Sequence, residues 1–273
     1  MTFFSFLFLL LFVLYALTFI IYLLTVKGKA PKQLKADLLF EIAFLLHTFF
    51  IFSEAREANI YLPITTFKEA LVFFAWALAF VYVVLLRRVK HEMFGLILLP
   101  FLLLFLGVSS LVDPGKVIPS DYLNSHYFLI HILSIFVSYA SFALSCTASV
   151  LYLIQAHALK SKQLGTFYHE LPPLRELEKF IFYSVAWGFC LLGAGILSGA
   201  LWSKSVFHTF IVREPKAAAS MVTWIVYGIV FWLHHKSVIS GRRSVLYVLY
   251  AFGLVLFTFL GTSFLQTKLH VGI

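Results

Sequence analysis

Long stretches of this chain contain no Asp, Glu, Lys or Arg at all: residues 3–26, 70–86, 93–112, 122–159, 180–203, 217–235 and 244–267. A helix crossing the hydrocarbon core of a bilayer needs about 20 mostly apolar residues, so each run reads as a membrane span. A shorter run, 42–53, extends back to Leu38 if Glu41 is tolerated. Of the 273 residues 62% are hydrophobic and 12% charged, where soluble domains carry roughly a quarter of their residues charged. The chain is therefore expected to be all-α, a polytopic membrane bundle of about eight transmembrane helices forming one domain over residues 1–273.

The cationic residues orient the bundle. Fourteen of the 21 lysines and arginines fall in the connectors after the first, third, fifth and seventh spans: Lys27, Lys29, Lys32 and Lys35; Arg87, Arg88 and Lys90; Lys160, Lys162, Arg175 and Lys179; Lys236, Arg242 and Arg243. The positive-inside rule makes these connectors cytoplasmic and puts both termini and the loops 54–68, 113–125 and 203–216 outside. Keeping that alternation requires 38–53 to be a span. The net charge of +9 then expresses topology; no nucleic acid is expected as a partner, and the lipid bilayer is. No cation precedes the first run and it is too long for a signal-peptide core, so it is expected to stay as the first helix. Pro100 should kink the fourth span. Cys146 and Cys190 lie in apolar runs at different depths, which argues against a disulfide. Without a C-x-x-C-H motif the chain is not itself a c-type cytochrome.

Ionisable groups at membrane depth are costly and point to function. His47 sits within Phe44-Leu45-Leu46-His47-Thr48-Phe49-Phe50, either as a hydrogen-bonded core imidazole or as a metal or cofactor ligand. His131 is followed at helical spacing by Ser134, Ser138, Ser141, Ser145 and Ser149, one polar stripe along a single face. Such a stripe can be a close-packing seam; the imidazole at its head favours the lining of a cavity. Gly195-Ile196-Leu197-Ser198-Gly199 is a small-xxx-small packing pattern to which no chemistry is assigned. Of the adjacent His234 and His235, the offset of eleven from Trp224 favours His235, and His270 follows the last span. His91, His126, His157, His169 and His208 lie in or beside connectors, where an imidazole needs no special role.

Two imidazoles, His131 and His270, thus fall near the outer face, and His47 and His235 lie deeper. Haem suits such a set, because its iron takes axial nitrogen ligands and its macrocycle is largely apolar. Zinc suits it less, since no H-x-x-x-H or C-x-x-C pair is present. A transporter using the histidines for protons or metal ions is the reading from another class.

Several ordered segments carry a resemblance. They are His47-Thr48, Leu62-Pro63, Phe67-Lys68-Glu69-Ala70-Leu71 and Phe74-Ala75-Trp76; then Ile130-His131-Ile132 with Ser138-Tyr139-Ala140; then Leu171-Pro172-Pro173-Leu174-Arg175-Glu176-Leu177, leading to Gly195 through Trp202. From about residue 38 to the C-terminus the chain resembles the CcsA/CcmC/HemX family of cytochrome c assembly and haem-handling membrane proteins. That family carries an external tryptophan-rich loop ending in W-x-W-D-P-K-E. Aligning its proline on Pro215 keeps an acid at Glu214 and a lysine at Lys216, while Phe207, Ile211 and Arg213 replace tryptophans. Trp202 and Trp224 bracket the segment, and Phe210 lies within it.

The resemblance implies b-type, non-covalent haem held at the external face by His131 and His270, with His47 and His235 as a deeper pair and the 203–216 loop shielding one haem face. Lys204, Arg213 and Lys216 could then pair with the propionates. It implies a membrane partner of the CcsB/ResB type, an apocytochrome c, and residence in the inner (cytoplasmic) membrane. With the loop altered, the chain is read as a haem-presenting subunit with no catalytic residues of its own, and a HemX-like accessory of haem biosynthesis is the alternative.

Overall fold

The computed structural model describes residues 3–27, 34–86, 92–113, 124–162, 171–210 and 215–258, except the side chains of 34, 35, 85, 86, 92, 93 and 207. These residues form eight helices: α1 Phe3–Val26, α2 Leu34–Glu57, α3 Phe67–Leu86, α4 Glu92–Leu111, α5 His126–Lys160, α6 Leu174–Phe207, α7 Pro215–His235 and α8 Gly241–Leu256. The first seven are long and apolar enough to cross a membrane. The expected eighth span, 244–267, begins as α8, and its last residues lie outside the described ones. The chain is a polytopic helical bundle, as its apolar runs require.

Local chemistry sets the helix ends. Glu69 Oε2 accepts from the Thr65 and Thr66 amides at 2.6 and 3.2 Å, and the Glu69 amide donates to Thr66 Oγ1 at 3.2 Å. This reciprocal capping box starts α3. Pro215 opens α7, where its missing N–H would have no partner anyway. At the end of α6 His208 turns left-handed, with φ 58°, and its amide donates to the Lys204 carbonyl at 3.1 Å. α4 continues through Pro100. α2 is longer than the apolar run 38–53 that announced it, because Asp37 at one end and Glu54, Arg56 and Glu57 at the other lie within the helix.

The residues divide into two compact units. In the first, α1 packs on α2, α2 on α3, α3 on α4 and α4 back on α1, which closes a ring. Its core holds Leu11, Tyr15, Thr18 and Tyr22 of α1, Phe40, Ala43, His47 and Phe50 of α2, and Phe94, Leu98, Leu102 and Leu106 of α4. Leu9, Val13, Leu17 and Ile20 point the other way and are exposed, so α1 is apolar on both faces, as expected between core and lipid. In the second unit α6, α7 and α8 pack on one another. α5 joins α7 through the stacked rings of Phe142 and Tyr227, with centroids 3.6 Å apart. Hydroxyls at membrane depth bond back to their own helices, Thr18 to Leu14, Thr48 to Phe44 and Ser149 to Ser145, which satisfies them where no water can.

Candidate functional site

His131 lies near the start of α5, half-buried against α6. Its Nδ1 is 2.7 Å from the Gly195 carbonyl oxygen. A carbonyl only accepts, so Nδ1 carries the proton and Nε2 of the neutral ring keeps its lone pair. The ring lies so close to α6 that a Cβ at Gly199 would come within 2.6 Å of its Nδ1 and Cε1. Trp202, one turn further along α6, presents its indole parallel to the imidazole, with centroids 6.2 Å apart and planes 14° from each other. An imidazole held by its other nitrogen on a backbone carbonyl is the usual arrangement of a metal-ligating histidine.

The serine stripe below His131 is a packing seam, which corrects the expected cavity lining. Ser138 Oγ donates to the Gly188 carbonyl across the interface at 2.7 Å, while Ser141, Ser145 and Ser149 bond within α5. Facing them, Gly188, Gly195 and Gly199 of α6 are covered by Phe142, Ile135 and His131. Small residues here permit close approach of the helices. The Gly195–Gly199 pattern is a packing element that receives Ile135 at Gly195 and the imidazole of His131 at Gly199.

The connector expected at 203–216 is shorter, since residues 203–207 are helical and α7 begins at Pro215. Ser203 Oγ donates to the Thr209 carbonyl at 2.7 Å, and Lys204 Nζ lies 4.3 Å from the centre of the exposed Phe210 ring. Lys216 is exposed in the first turn of α7. Trp224 belongs to the α6–α7 interface: its Nε1 donates to the Phe189 carbonyl at 3.2 Å, and its ring stacks on Phe189 at 5.0 Å. His270, Arg213, Glu214 and the side chain of Phe207 lie outside the described residues.

His47 is fully buried in the first unit. Its Nδ1 is 3.4 Å from Tyr15 Oη, and the Tyr15 ring packs edge-on at 5.9 Å. Its Nε2 is buried and makes no hydrogen bond of full geometry, although the Val72 backbone of α3 lies beside the ring. In the second unit α7 buries Thr223, Tyr227 and Val230, a face that continues to His234. The His234 ring stacks on Phe182 at 3.3 Å, with its Nδ1 3.9 Å from Glu178 Oε1. His235, the residue favoured by the offset from Trp224, is exposed on the adjoining face and stacks on Phe231 of its own helix at 6.1 Å. Both imidazoles line one groove of about 320 Å³ with Lys179, Phe182 and Phe231.

Two polar constellations were not singled out from sequence. Tyr22 Oη donates to Asp37 and lies 3.0 Å from Tyr82 Oη, beneath Gly95; the signal was a lone aspartate just ahead of an apolar run. Glu178 accepts from the Gly241 amide at 2.7 Å and so ties α6 to the start of α8. Among the described residues no three His, Cys, Asp or Glu side chains are grouped to hold a metal ion, and Cys146 and Cys190 are free thiols. His126 packs against Tyr61, with ring centroids 5.4 Å apart and planes tilted by 55°. His91 and His169 are outside the described residues.

Comparison with known proteins adds to this geometry. The chain is 25% identical over 233 residues to the cytochrome c biogenesis protein CcsA of Guillardia theta, covering 77% of this chain and 76% of that protein. It is 25% identical over 256 residues to CcsA of Porphyra purpurea (78% and 79% covered), and 23% identical over 235 residues to a CcsA of Prochlorococcus marinus (76% and 74% covered). The family described as "Cytochrome C assembly protein" matches residues 64–270, which take in α3 through α8 and His131, Gly195 and Gly199. With most of its length inside that match, the chain belongs to the cytochrome c assembly protein family.

Proposed function

We propose that this membrane protein of cytochrome c assembly presents non-covalent, b-type haem at the external end of α5, with His131 and His270 as the two axial ligands. The observation that carries this reading is the 2.7 Å bond from His131 Nδ1 to the Gly195 carbonyl, which leaves Nε2 as the ligand nitrogen. Two imidazoles saturate the iron and set its potential together with the polarity around it. Trp202 offers a flat wall beside His131, and Phe210 extends the apolar surface of the turn after α6. Lys204, Arg213 and Lys216 supply positive charge for the propionates.

His47 and His235 are the proposed inner pair. The Nε2 of His47 makes no hydrogen bond of full geometry, with only the Val72 backbone of α3 beside the ring, and is the nitrogen proposed for the metal. With the ring at 0% exposure, loading requires α1 and α2 to part there. His235 reaches the α6–α7 groove directly. The thioether bonds to an apocytochrome c would be made with a CcsB/ResB-like subunit, in the inner membrane of the cell. A HemX-like accessory role is the second reading, favoured by Phe207, Ile211 and Arg213 standing where that family's loop has tryptophans.

The test is haem content after mild-detergent purification from haem-replete cells. A Soret band in the wild type, lost in His131→Ala and retained in His126→Ala, is expected. A colourless wild type would overturn both haem readings and leave the transporter.

A further inference from the structure

His131 is fixed on α6 by three contacts of different kinds. Its ring lies over Gly199, where even one methyl group would meet Nδ1 and Cε1 at 2.6 Å. Its Nδ1 bonds to a helix carbonyl four residues earlier, and Trp202 runs parallel three residues later. Each contact fixes a different freedom of the imidazole: the tautomer, the depth against α6 and the plane of the ring. The Gly195 carbonyl sits in a helix, where carbonyls normally accept from the amide four residues on; Ser198 Oγ, bonded to the Ala194 carbonyl at 2.8 Å, also reaches it at 3.1 Å, and the imidazole is the nearer side-chain donor at 2.7 Å.

We propose that Gly195, Gly199 and Trp202 are positioning residues: they lock His131 before any ligand arrives as the Nδ1–H tautomer, with Nε2 held as the donor atom for iron. The proposal deepens, and rests on, the reading of His131 as an axial ligand. Gly199 is the element open to side-chain substitution, because any Cβ there displaces the ring and breaks the bond to Gly195. Outer-shell partners of this kind typically change metal affinity by roughly 10- to 100-fold when lost.

The experiment uses the full chain with 15N-labelled histidine in detergent, haem-free and then titrated with haemin. His131→Ala identifies the His131 signals, and Gly253→Ala, whose new Cβ would meet nothing within 4 Å, is the control glycine substitution. The haem-free wild type is expected to show His131 protonated at Nδ1. Gly199→Ala is expected to show mixed tautomers and a haemin affinity lower by roughly 10- to 100-fold, with Gly253→Ala like the wild type. A wild-type His131 protonated at Nε2 overturns the proposal whether or not Gly199→Ala folds. A folded Gly199→Ala with altered tautomers but unchanged haemin affinity overturns the positioning role and leaves the ligand reading standing. Haemin binding that is absent in a wild type with the Nδ1–H tautomer overturns the ligand reading itself, and the positioning role with it.

Discussion

Ser138 Oγ donates to the Gly188 carbonyl across the α5–α6 interface at 2.7 Å, and Phe142, four residues on, fills the hollow that Gly188 leaves. A Cβ at residue 188 would stand 2.5 Å from Phe142 Cε1. Phe142 cannot easily retreat, because its ring is stacked on Tyr227, with centroids 3.6 Å apart. Gly188→Ala is therefore expected to destabilise the protein by about 1–3 kcal/mol through overpacking, despite alanine's better helix propensity. Thermal unfolding in detergent reads the effect; a variant as stable as the wild type would show that the seam is looser than described.

α3 depends on Glu69 for its start. One carboxylate oxygen takes the Thr65 amide, the Thr65 hydroxyl and the Thr66 amide. Glu69→Ala leaves these donors unmatched and is expected to cost about 1–2 kcal/mol. Glu69→Gln, which keeps a carbonyl oxygen, should recover part of the loss. Unfolding curves of the two variants check this, and equal losses in both would mean that charge rather than hydrogen bonding holds the cap.

Glu178 and Gly241 join α6 to α8. Gly241 has φ +57° and gives its amide to Glu178 Oε1, so the negative charge also sits at a helix N-terminus, where the dipole favours it. Gly241→Ala should cost about 1–2 kcal/mol for a left-handed backbone. Glu178→Ala should free the 236–240 connector. Limited proteolysis within that connector is the readout, with faster cleavage expected in Glu178→Ala and no change in Glu176→Ala, whose carboxylate pairs with the exposed Lys179.

Much of the fold was legible because lipid imposes one rule: charge-free length means helix. The eight apolar runs recur in order as α1 to α8. What the rule missed were helix ends. α6 runs from Leu174 to Phe207, beyond the charge-free 180–203, since a helix continues into water when its charged residues, Arg175, Glu176 and Lys204 among them, can stay solvated. α2 extends past its apolar run through Asp37, whose carboxylate accepts a hydrogen bond from Tyr22 of another helix, a pairing that no local pattern shows. The site was legible as a set of histidines and not as an arrangement. Nothing in Gly195 or Gly199 alone shows that His131 lies on them; that requires the register of α5 against α6. At the other end of α7, spacing from Trp224 selects His235, while the buried period through Thr223, Tyr227 and Val230 carries His234 inward. Two helical periods thus run side by side along α7, one from Trp224 to His235 and one from Tyr227 to His234, and both imidazoles open on the same groove.

The most direct measurement is the absorption and electron paramagnetic resonance spectrum of the purified, haem-loaded wild type beside His131→Ala and His270→Ala. A shared iron predicts a low-spin bis-imidazole signature that both substitutions abolish to the same extent and that free imidazole restores in both. Independent, graded changes in the two variants, or a wild type without the low-spin signature, would contradict it.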